Sequence, residues 1–159
     1  QIKYLVRVRG EPVACLSFGG AAWKVEPRDR WIGWVPDQRQ RNLRHVVNNT
    51  RYLVLPWVRV KNLASRLLAL AARRLPEDWH DLYGYRPWLI ETFVHSERHS
   101  GTCYRAANWI LVGETKGRGR MDRYGAATLP KKAVFLYPLV RSAKDLLTGS
   151  GSPSTPVCP

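Results

Sequence analysis

At 159 residues, 45% of them hydrophobic, the chain has the length and composition of one domain with one sizeable core, and not of a disordered polypeptide. Its 26 Lys and Arg against 12 Asp and Glu leave a net charge of +14, an excess that favours polyanions, with nucleic acid the usual one. No run of about 18 apolar residues is present and no basic amphipathic segment stands apart from the core pattern, so a membrane is not an expected partner.

Residues 2–9 alternate polar and apolar, and the alternation resumes over 13–18 after Gly10-Glu11-Pro12, which reads as a two-stranded hairpin. Residues 21–34 read as strand or irregular chain. Asp37 can cap a helix running to about residue 48, with Leu43, Val46 and Val47 as its apolar stripe and Arg39, Arg41 and Arg44 on another face. A strand is expected over 51–58, a helix over 63–75, a loop over 76–85 and a mostly apolar, buried strand over 87–94. A short helical stretch over 100–108 and strands over 109–114 and 133–140 follow. Strands alternating with helices argue an α+β domain with a mixed sheet and helices on its faces. The crossover through 63–75 would make strands 51–58 and 87–94 parallel neighbours. Residues 1–148 thus read as one domain and 149–159, rich in Gly, Ser and Pro, as a tail. The chain opens on Gln1 and is already strand-like by Ile2, so it reads as a piece of a longer protein. Cys15, Cys103 and Cys158 form no disulfide framework, which fits a reduced, cytoplasmic setting.

Arg59-Val60-Lys61-Asn62-Leu63-Ala64 lies where a strand is expected to give way to a helix. The first turn of a helix leaves backbone N–H groups unpaired at the positive end of its dipole, which suits phosphate. Arg59, Lys61 and Arg66 add charge there, Asn62 tolerates the left-handed conformation that phosphate loops often need, and Ala64 permits close approach. The alternative is a basic corner with no ligand. Tyr104, in Gly101-Thr102-Cys103-Tyr104, is a candidate general acid, while Cys103 reads as a packed small hydrophobe. Glu91 falls at the centre of an apolar run, where a carboxylate is costly unless paired. A buried Arg partner would explain it structurally, a general-base role functionally. His95 and His99 have the i, i+4 spacing of a metal clip, but no second cluster completes a ligand set, so no metal is expected. Lys116, Arg118 and Arg120 form a basic loop suited to phosphate contact.

Two resemblances meet at these residues. Arg59-x-x-Asn62-x-Ala64 is similar to the Gln/Arg-x-x-Gly-x-Gly/Ala pyrophosphate loop of the GCN5-related N-acetyltransferases (GNAT), and Tyr104 to Trp109 resembles their Tyr-x-x-x-Gly-Phe. That resemblance implies residues 59–64 as an acetyl-CoA or other acyl-CoA loop and Tyr104 as general acid. Asn62 stands where the first glycine is usual, and Asn108-Trp109 where Gly-Phe is. The second resemblance runs through about residue 145. Residues 28–34, 48–53, 60–65, 91–94 and 101–109 look like signature blocks of the DruA-like family, named for a component of Druantia anti-phage defence and found beside transposases. It implies an antiviral or mobile-element setting, with transposase or defence subunits as partners. It also implies a preceding helical segment with a His-Tyr-Leu-Gly-like motif. Together these readings suggest a nucleic-acid-associated domain, DNA before RNA, with an acyl-CoA-dependent N-acyltransferase as the second hypothesis and a structural adaptor as the third.

Overall fold

The computed structural model describes residues 1–117 and 130–150. Arg9 and Gly10 both take positive φ, 52° and 88°, the geometry of a tight hairpin turn. They fold strand β1 (Ile2–Val8) onto β2 (Glu11–Gly20) in antiparallel register, with Tyr4 opposite Leu16. Two short helices follow, α1 (Glu26–Ile32) and α2 (Pro36–Asn42), then a 3-10 turn (Leu43–His45) and β3 (Val46–Val54). Helix α3 (Leu63–Tyr83) connects β3 to β4 (Leu89–His95). The chain then forms α4 (Thr102–Ala106), β5 (Ile110–Glu114), β6 (Lys132–Pro138) and α5 (Ala143–Thr148).

The six strands lie in the order β1-β2-β3-β4-β6-β5. All pairings are antiparallel except β3 with β4, which the α3 crossover makes parallel, as expected. Side chains alternate across the sheet and feed two cores. Val47, Ile90 and Phe135 enter the one capped by α3 through Leu68, Leu75 and Trp79. Val46, Leu89 and Leu136 enter the one closed by Val25 and Ile32 of the α1 region and by Leu147 of α5. The domain is therefore α+β, with helices on both faces of a mixed sheet. None of the described helices is long and apolar enough to cross a membrane.

Three element boundaries differ from expectation. The helix expected over 37–48 stops at Asn42, because Val46 and Val47 each belong to a different face of the sheet. Strand β3 accordingly starts and ends several residues earlier than 51–58, and residues 55–62 link it to α3 without regular structure. The strand thus does not run straight into the helix. Helix α3 passes through Pro76, expected to end it, to Tyr83, since Leu75 and Trp79 on either side are both buried in one core. It stops at Gly84, whose positive φ of 77° lets its N–H reach the His80 carbonyl. Residues 21–34 contain α1, with Pro27 in its first turn.

Candidate functional site

Strands β3 and β4 pair over only three positions, Val46 with Leu89, Val47 with Ile90 and Asn48 with Glu91. Beyond them β3 stays with β2 and β4 stays with β6, so the two strands part and a cleft of about 650 Å³ opens between them. Tyr52, Thr92 and Val94 line its strand walls, and the segment from Arg98 through α4 closes one side. Arg51, His95, Arg98, His99 and Lys132 also line it, and among the described residues no carboxylate does. Glu97 lies on the same turn but outside the lining. None of Arg51, Arg98 and Lys132 forms an ion pair among the described residues.

Asn49 organises the apex. Its amide donates to the Ser17 and Arg51 carbonyls at 3.1 and 3.0 Å, and its Oδ1 accepts from the Tyr104 hydroxyl at 3.1 Å. The Thr92 hydroxyl donates to the Asn49 carbonyl at 3.1 Å. Tyr104 is thereby held at the cleft wall from α4, edge-on to Trp109 and stacked near Phe135. Burial pushes its hydroxyl up to about 12. The adjacent Cys103 thiol is also raised by burial, so it is not a thiolate at neutral pH.

None of the residues Arg59–Ala64 lines this cleft. Asn62 takes φ 60° and ψ 10°, the left-handed conformation, and precedes α3 without any side-chain cap on the helix. Tyr52, a cleft residue, donates its hydroxyl to the Ala64 carbonyl at 2.8 Å and so ties the first turn of α3 to the cleft wall. Arg59, Val60, Lys61 and Arg66 are exposed, and the three cations form no ion pair among the described residues. Lys116 instead meets Glu26 at 2.7 Å on the surface, and Arg118 and Arg120 lie outside the described residues.

Glu91 requires a correction. It is fully buried, bonded to the fully buried Arg28 at 2.7 Å and to the Ala22 N–H at 2.8 Å, and it does not line the cleft. Its partner Arg28 also donates to Asp29 and to the Ala22 carbonyl. A carboxylate enclosed this way cannot reach a substrate, so the general-base assignment gives way to the structural one. Among the described residues, no cluster of three or more potential metal ligands gathers around His95 or elsewhere. Arg51, Arg98, His99 and Lys132 went unrecognised as cleft residues in the sequence, because only the divergence of β3 from β4 and the pairing of His95 with Lys132 bring them together.

This arrangement of splayed central strands and crossover helix is the fold of the GNAT acetyltransferases. The chain superposes on a GNAT-family acetyltransferase from Streptococcus pneumoniae with a TM-score of 0.53 and 14% identity, over 87% of this chain and 66% of that one. It matches the aminoglycoside acetyltransferase AAC(6')-Ib, solved with coenzyme A and kanamycin, with a TM-score of 0.56 and 16% identity, over 91% and 69%. A polyamine N-acetyltransferase from Drosophila melanogaster, which forms N-acetylagmatine, gives 0.53 and 14%, over 86% and 74%. The chain spans roughly two thirds to three quarters of the length of these proteins. Within that fold it belongs to the DruA family, whose model, described as Druantia protein DruA, matches residues 1–128. A comparison of the sequence with curated proteins returns no match.

Proposed function

We propose that this DruA-family domain is a nucleic-acid-associated part of an anti-phage defence or mobile-element protein, using an acetyltransferase scaffold to hold phosphate backbone. The observation that carries this reading is the set of exposed cations at the start of α3, Arg59, Lys61 and Arg66, with no ion pair among the described residues, on a chain of net charge +14. Each phosphate neutralised releases condensed counterions, so a few unpaired cations on one surface yield salt-dependent affinity. Trp57, 70% exposed on the same linker, offers a ring for base stacking. Lys116 exchanges Glu26 for phosphate in this reading, and Arg118 and Arg120, close to it in sequence, are expected to contact phosphate too. DNA is the expected polymer before RNA, and transposase or defence-system subunits are the expected protein partners. Binding of a DNA duplex that falls steeply with salt, and weakens about tenfold in an Arg59→Glu/Lys61→Glu variant, is the expected result. Binding that ignores both salt and charge reversal would contradict it.

A second reading is favoured by the uncapped start of α3 beside the parted strands. There the domain is an acyl-CoA-dependent N-acyltransferase, in which residues 59–64 take the pyrophosphate and Tyr104 protonates the departing thiolate. With Glu91 enclosed by Arg28, the acceptor amine would have to lose its proton by another route. Acetyl-CoA binding abolished by Arg59→Glu, with turnover abolished by Tyr104→Phe, would establish this reading instead.

A further inference from the structure

The cleft between β3 and β4 has a chemistry that the exposed cations at α3 do not share. Its lining combines Arg51, Arg98 and Lys132 with no carboxylate among the described residues, so its charge disfavours a polyamine or other cationic guest. It also lies between two strand edges that no β-ladder joins beyond Asn48 and Glu91, with the Asn49 and Arg51 carbonyls accepting instead from Thr92 and from the Asn49 amide. Tyr52 contributes a ring 6.4 Å from that of Tyr104, edge to face. His95 lines the same space with its Nδ1 buried and without a hydrogen-bond partner among the described residues. The cleft's volume of about 650 Å³ suits one or two nucleotides and is too narrow for a duplex, about 20 Å across.

From this combination the geometry points to the cleft as a site for an unpaired nucleotide segment, its phosphates held by Arg51, Arg98 and Lys132 and its base set against Tyr52 between the open strand edges. Cations meet the charge, and the ring meets the base face. The surface at α3 would then hold backbone of either form, while the cleft selects single strands. This inference rests on the nucleic-acid reading above.

The test uses the full chain and two fluorescein-labelled probes, a single strand of about ten thymidines and a blunt, G·C-rich DNA duplex of about twenty base pairs, which stays paired at low salt. Arg51→Glu/Arg98→Glu is expected to lower single-strand affinity at least about tenfold while changing duplex affinity by less than about threefold. Arg59→Glu/Lys61→Glu is expected to lower both. Both replaced cleft arginines are exposed and form no ion pair among the described residues, so the fold is expected to survive, and circular dichroism of each variant checks it. Equal losses for the two probes, no loss for the single strand, or displacement of the strand by stoichiometric acetyl-CoA or by an extended peptide would each overturn the assignment. Duplex binding without single-strand binding would overturn the cleft alone. Binding of neither probe at low salt would overturn the nucleic-acid reading along with it.

Discussion

Arg28 and Glu91 are both fully buried, and their contact lies next to Asn48, where β3 and β4 cease to pair. Removing one member of such a pair leaves the other charged and uncompensated, which typically costs about 3–5 kcal/mol. Arg28→Met is therefore expected to lower the urea-unfolding free energy by about that amount at neutral pH. Burial holds the Glu91 carboxyl above the usual carboxylate range, with Arg28 and the Ala22 N–H opposing. A carboxyl raised on folding contributes stability that is complete below its unfolded pKa and is lost as pH rises through its folded pKa. Without Arg28 the shift grows, so the deficit of Arg28→Met is expected to shrink as pH falls from 8 to 5. A deficit that is constant or larger in acid would contradict the burial account. The Tyr104 hydroxyl reports on Asn49 in a different way. Tyr104→Phe strands Asn49 Oδ1 in a buried setting, for an expected loss of about 1–3 kcal/mol by thermal or urea unfolding. Because the hydroxyl is raised to about 12, any acid role for it is expected to show no alkaline limb between pH 6 and 10 in a pH–rate profile.

Element boundaries show where a local reading succeeds. The β1–β2 hairpin was legible from alternation around Gly10-Glu11-Pro12, and the parallel neighbours β3 and β4 from the crossover between them. Asn62 was legible as a left-handed residue before α3, and φ 60° agrees. Replacing it by Gly is expected to leave stability within a few tenths of a kcal/mol, whereas Asn62→Val should cost about 1–2 kcal/mol by unfolding. What escaped was non-local. Val46 and Val47 fit a helical stripe by spacing, but their assignment to opposite sheet faces is decided by strands far away in sequence. Helix α3 continues past Pro76 because tertiary burial of Leu75 and Trp79 outweighs the lost hydrogen bond. The Arg28–Glu91 contact spans 63 positions, so the sequence could require a partner for Glu91 without naming it. Gly101 shows the same limit at the start of α4. Its φ is 70°, and a Cβ there would lie 2.6 Å from Phe135 Cζ in the core. Gly101→Ala is expected to cost about 2–5 kcal/mol, partly recovered by adding Phe135→Leu, both read from urea unfolding.

At the scale of the whole molecule, one sheet serves two surfaces. The parting of β3 and β4 makes a cleft that no carboxylate among the described residues lines, and the linker into α3, which Tyr52 ties to the cleft wall through Ala64, sets Arg59 and Lys61 out in solvent. The GNAT fold accounts for the architecture, and the DruA family places it among proteins named for Druantia. The chain carries a net charge of +14 on 159 residues, and Arg59, Lys61 and Arg66 hold part of its cationic charge in solvent. Stability is expected to be insensitive to these cations, so Arg59→Glu/Lys61→Glu should unfold within about 0.5 kcal/mol of the parent. Binding should not be insensitive. The measurement that tests the central claim most directly is a titration of the domain with duplex DNA across a range of salt, parent against Arg59→Glu/Lys61→Glu/Arg66→Glu, with acetyl-CoA titrated in parallel. The expected result is a logarithmic salt slope of several units that falls by about 0.9 for each phosphate contact removed in the variant. A salt-independent affinity, or acetyl-CoA binding abolished by the same substitutions while DNA does not bind, would contradict the claim and make the surface a cofactor site.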